Sequence, residues 1–126
     1  MEQIDKYFEN VLAIPKKEKD FSKDHSVIIS FLNYPSDELD ILHELDMKLD
    51  KIIQKQNVGF YDGHEIAVDG YDGTLYMYGP NAENLFKVVK PILEETKWLK
   101  GAIANLRFGK FDEDAPELEV ELIVKN

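Results

Sequence analysis

The chain has 126 residues and a mass of 14.6 kDa, the length of one domain. It contains no cysteine, which excludes a disulfide scaffold, a thiolate zinc site, an iron–sulfur cluster and a thiol nucleophile. With 15 Lys and Arg against 25 Asp and Glu the net charge is −10, which argues against a general affinity for nucleic acid or anionic membranes.

Hydrophobic residues make up 44% and charged ones 32%, an ordinary balance for a soluble globular protein. No apolar run approaches the roughly 18 residues of a membrane span. The start, Met1-Glu2-Gln3-Ile4-Asp5, has neither the basic nor the apolar region of a signal peptide, so a cytoplasmic location is expected. We expect a single domain over 1–126, divided into an N-terminal helix with a charged connector (1–24) and a core (25–126).

In the first segment Ile4, Tyr7, Phe8, Val11 and Leu12 fall at helical spacing, and Pro15 ends the pattern. Val27 to Leu32 is short, β-branched and apolar at alternating positions on both sides, which predicts a central strand covered on both faces. Pro35-Ser36-Asp37 stops it and offers an N-cap. From Glu38 to Gln56 the residues Leu39, Leu42, Leu45, Leu49, Ile52 and Ile53 form one apolar stripe on a helix. Val58 to Val68 reads as a strand with a bulge at Gly63, and Thr74 to Tyr78 as its hairpin partner across the turn-rich Asp69-Gly70-Tyr71-Asp72-Gly73. A second helix follows Gly79-Pro80-Asn81, with Leu85, Phe86, Val88, Val89, Ile92 and Leu93 on its apolar face and Pro91 expected to kink it or end it early. Ala102 to Phe108 and Leu118 to Val124 are the last two strands.

The fold class is therefore α+β. Its middle is the ferredoxin-like β-α-β-β-α-β unit, with an added N-terminal helix and an extra C-terminal edge strand. The N-terminal helix or a second subunit is expected to cover the second sheet face. Leu42, Leu45, Leu49, Val88, Val89 and Ile92 are expected in one core between helices and sheet.

Few residues invite chemistry. Asp62-Gly63-His64-Glu65 pairs an imidazole with carboxylates, but on a regular strand Asp62 and His64 share a face and Glu65 points away. A metal there needs ligands from elsewhere, so neither catalysis nor a metal is expected. Asp69 to Gly73 lacks the ligand order of a calcium loop, and an ordinary hairpin turn explains it. Gly79-Pro80-Asn81 precedes a helix but has one glycine and no nearby lysine, so N-capping explains it better than a phosphate cradle. Tyr76 and Tyr78 share a strand face and are candidates for a sheet-face contact, with base stacking opposed by the charge. Asp112, Glu113, Asp114, Glu117, Glu119 and Glu121 put six acids within ten residues without a base. They serve either to protect an edge strand from unwanted pairing or to dock a basic partner.

The stretch from Asp62-Gly63-His64-Glu65 through Leu75-Tyr76-Met77-Tyr78-Gly79-Pro80, Ala82 and Leu85-Phe86, with Leu106-Arg107-Phe108-Gly109, resembles a pattern recurring in small uncharacterised bacterial proteins. That resemblance spans about the middle half of the chain and implies no activity. In size, acidity and α+β plan the protein is also similar in type to bacterial immunity proteins that block a cognate toxin. The expected function is thus a non-enzymatic acidic binding module without cofactor, engaging a basic protein such as a toxin. The alternatives are a small-molecule or enzymatic site near Asp62, His64 and Arg107, and a homodimeric structural or regulatory module.

Overall fold

In the computed structural model, residues 24–32, 34–35, 39–67, 71–110 and 114–124 are described. The elements run β1 (His25–Phe31), α1 (Asp40–Gln56), β2 (Phe60–Ile66), β3 (Gly73–Gly79), α2 (Ala82–Glu95), β4 (Ile103–Arg107) and β5 (Glu117–Glu121), with a short 3-10 turn at Lys97–Leu99 between α2 and β4. The protein is α+β: among the described residues five strands form one sheet in the order β2-β3-β1-β4-β5, every neighbouring pair antiparallel, with two helices. The expected N-terminal helix lies outside the described residues.

Alternation along the strands decides which sheet face is covered. Val27, Ile29 and Phe31 of β1, Leu75 and Met77 of β3, and Ala104 and Leu106 of β4 point to the helices and are buried. They meet Leu42, Leu45, Leu49 and Ile53 of α1 and Leu85, Phe86, Val89 and Leu93 of α2. Of the residues expected in this core, Val88 and Ile92 are only half-buried, at its margin. Burying an aliphatic side chain of this kind contributes about 1.5–3 kcal/mol, so these two rows supply most of the helix docking.

Both faces of β1 were expected to be apolar and covered. The second face is Ser26, Ile28 and Ser30, more polar than the helix side, and among the described residues neither helix covers it. Leu32 follows the strand and is 66% exposed.

Two local expectations about the helices change. The N-cap of α1 is Leu39, whose side chain makes no capping bond. Instead the hydroxyl of the buried Tyr34 accepts the Leu42 N–H at 3.2 Å, satisfying an amide of the first turn from outside the helix. Pro91 neither ends α2 nor stops it short; the helix runs to Glu95. Both Pro91 and Lys87, the residue whose carbonyl loses its partner, are exposed, so that carbonyl is open to solvent, which lessens the cost of its missing N–H.

At the C-terminal end, β5 begins at Glu117 rather than Leu118 and ends at Glu121. The ladder continues by one bond, Leu122 N–H to the Ala102 carbonyl at 2.8 Å, and Leu122 is buried. Leu118 sits opposite Leu106 yet is 52% exposed. Val120 packs at the margin of the core, so only the Leu118 end of this edge strand is left uncovered. Among the described residues, no helix is long and apolar enough to cross a membrane.

Candidate functional site

The uncovered sheet face is built by the in-register partners of Ser26, Ile28 and Ser30. These are Tyr78, Tyr76 and Thr74 of β3 on one side and Arg107, Asn105 and Ile103 of β4 on the other. Next to β4, Glu117, Glu119 and Glu121 face Arg107, Asn105 and Ile103 across the ladder. A groove of about 390 Å³ opens here, with Ile28 between Tyr76 and Asn105 among its lining residues and the polar end formed by Asn105, Arg107 and Glu117.

Its polar side chains are tied together. Arg107 is ion-paired with Glu117, and Asn105 Nδ2 donates to the same carboxylate at 3.1 Å. Tyr76 Oη donates to Glu65 Oε1 at 2.6 Å, a bond that raises the phenol above its ordinary range. Burial, then the charge of Asp62, raises Tyr78 as well, and its ring lies 5.5 Å from that of Phe60. Both phenols therefore stay protonated donors near neutral pH.

Of the six acids singled out in the sequence, Asp112 and Glu113 lie outside the described residues. Asp114, Glu117, Glu119 and Glu121 are exposed. The three strand glutamates project from one face as expected, and that face is continuous with the groove holding Tyr76 and Tyr78. Glu117 has local partners, whereas the alternation pattern alone gave it none.

The group Asp62, His64 and Arg107 is not assembled. A register shift between Tyr61 and His64 turns the strand, so His64 faces the helices while Asp62 acts on Tyr78 from the other side. Arg107 lies on the groove face three strands away, roughly 14 Å at the usual strand spacing. Gly79-Pro80-Asn81 behaves as a cap: Asn81 Oδ1 accepts the Asn84 N–H at 3.0 Å, and His25 Nδ1 accepts the Ala82 N–H at 2.9 Å. Those two first-turn amides are spent on side chains rather than left for an anion. His64 and Glu65 do point to opposite faces.

One constellation escaped the sequence. Asp46, one turn from His43 on α1, lies between two residues of β2. Tyr61 Oη donates to Asp46 Oδ1, and His64 Nδ1 lies 2.7 Å from Asp46 Oδ2. Burial first, then the bond to Asp46, pushes the Tyr61 phenol far above its ordinary value. The rings of His43 and His64 are 5.8 Å apart. The spacing of His43 and Asp46, three apart on a helix, was visible, but only the α1–β2 packing shows that His64 meets them.

Compared with known proteins, the chain matches no protein family, no curated protein and no solved structure.

Proposed function

We propose that this is a non-enzymatic binding module with a ferredoxin-like core, acting in the cytoplasm and docking a basic protein through the uncovered sheet face and its acidic margin. The strand order β2-β3-β1-β4, with β5 added at the edge, supports the ferredoxin-like description. The observation that carries the functional reading is the placement of Glu117, Glu119 and Glu121 on the groove face, where Arg107 is the one Lys or Arg among the strand residues and is itself paired. Glu65 adds a carboxylate at the opposite margin. A half-apolar centre between acidic margins suits a partner that presents lysine or arginine around an apolar side chain. The most concrete version is an immunity-type inhibitor of a cationic toxin, for which a charge of −10 favours fast, steered association.

The test starts by cross-linking the protein in its host and identifying the bound protein by mass spectrometry. Association rates for that purified partner are then measured against ionic strength. The reading expects a steep fall with salt and a slower rate for Glu119→Gln/Glu121→Gln. A rate indifferent to both overturns it. The same groove also favours a second reading, a homodimer closed face to face over Tyr76 and Tyr78. In that case light scattering gives twice the chain mass and Tyr76→Glu returns it to monomer.

A further inference from the structure

We propose that His43, Asp46 and His64 form a binding site for a single divalent transition-metal ion of the zinc class, clamping β2 to α1. Each of the three offers a ligand atom, and these atoms all lie within 4.8 Å of one another. Ligand atoms around a tetrahedral zinc, at about 2.0–2.1 Å from the ion, are separated by about 3.3–3.4 Å. The present spread brackets that value, with the His64–Asp46 contact at 2.7 Å on the short side. Gathering the three takes a rotation of the exposed His43 and a slight opening of the His64–Asp46 pair as the metal displaces its shared proton to solvent.

The donor set selects the ion. Two imidazoles and one carboxylate are borderline ligands, matched to zinc and its neighbours rather than to calcium or magnesium, which take oxygen. Three protein ligands leave a fourth position open, and the exposure of His43 turns that position toward solvent. The surroundings already have the form of a metal site's support. His64 and Asp46 are largely buried, with side chains 17% and 20% exposed. Tyr61 holds the other oxygen of Asp46, fixing the carboxylate with its second oxygen toward His64. The absence of further ligands, which argued against a metal in the sequence, is removed by the packing of α1 on β2.

This site lies on the helix side of the sheet, away from the groove, so it stands or falls independently of the binding reading. The test is titration of the chelator-treated full chain with Zn²⁺ by calorimetry and with Co²⁺ by visible absorption. One equivalent is expected to bind with Kd of about 10 µM or tighter, with Co²⁺ developing the ligand-field bands of low coordination number. His43→Ala, which removes an exposed ring that takes no part in the hydrogen bonds of Asp46 with His64 and Tyr61 and is expected to keep the fold by circular dichroism, is expected to weaken binding at least tenfold. Tyr61→Phe is expected to weaken it by about tenfold through the loosened carboxylate. His64→Gln is expected to abolish the Co²⁺ bands. Absence of one-to-one binding in the wild type, or equal binding by the wild type and His43→Ala, overturns the proposal.

Discussion

Asp46 shows how much one carboxylate organises at the residue scale. It holds a phenol and an imidazole of β2 from its place on α1, so the edge strand is fastened by polar contacts where its apolar ones are sparse. The raised tyrosines give this a pH signature. An unfolded tyrosine loses its proton near pH 10, whereas Tyr61, Tyr76 and Tyr78 keep theirs in the folded state. Above that pH the unfolded chain binds fewer protons, so stability present below about pH 10 is lost as pH rises. Urea melts of the metal-free protein at pH 8 to 11 are expected to show this fall, and Tyr61→Phe to flatten part of it. An equal slope in the variant contradicts the assignment. Glycines give a second residue-scale contrast. Gly59 has φ +149°, and a Cβ there meets the Tyr78 carbonyl oxygen at 2.0 Å, whereas at Gly63, φ +93°, nothing lies within 4 Å. Gly59→Ala is expected to cost about 2–4 kcal/mol in denaturant unfolding and Gly63→Ala only about 1 kcal/mol, from backbone strain. Equal costs at the two sites refute the close approach of the chain at Tyr78.

At the scale of elements, the helices owe their position to a few rows of side chains. Leu45 is 3% exposed and faces the sheet, so Leu45→Ala is expected to lose about 2–5 kcal/mol, and a loss under about 0.5 kcal/mol means the register of α1 is wrong. Pro91 offers the opposite test. It stands exposed inside a helix that continues through it. Pro91→Ala restores one backbone donor on the solvent side and is expected to stabilise the protein by about 1–3 kcal/mol. Unchanged or lower stability in that variant denies the continuous helix. The aromatic corner of Phe31, Tyr34 and Trp98 ties β1, α1 and the 3-10 turn together, with edge-on ring pairs 5.2 and 5.1 Å apart on Trp98. Such pairs add about 0.5–1.5 kcal/mol beyond their burial.

For the whole molecule, the arrangement of charge matters more than its total. Glu119 and Glu121 repel on one face and have no base opposite them, since their ladder partners are Asn105 and Ile103. Their double replacement by glutamine is expected to leave stability unchanged or slightly raised. Glu117 differs, because its pairing with the half-buried Arg107 contributes up to about 1 kcal/mol, which Glu117→Gln is expected to lose. Comparing midpoints of the two variants checks the distinction: equal destabilisation by both defeats it. Edge protection and partner docking separate in the same samples. Aggregation of the double variant with intact partner binding points to protection, and slowed association of a monomer points to docking.

By itself the sequence determined the α+β class and, from residue 25 on, the succession of strands and helices, because period-2 and period-3.6 burial leave their marks on neighbouring residues. It also placed Tyr76 and Tyr78 on one strand face and the three strand glutamates on another, since alternation is local. Strand order is not local, and only the packed sheet set those two faces side by side in one groove. The bulge before His64 was signalled by Gly63, but its sense was not, and that sense sends His64 to the helices and Asp62 to the groove face. The meeting of His43, Asp46 and His64 joins residues 18 and 21 positions apart in the chain, at distances set by how α1 lies on β2. Contacts of that kind depend on side chains fitting between two elements, which no spacing within either element encodes.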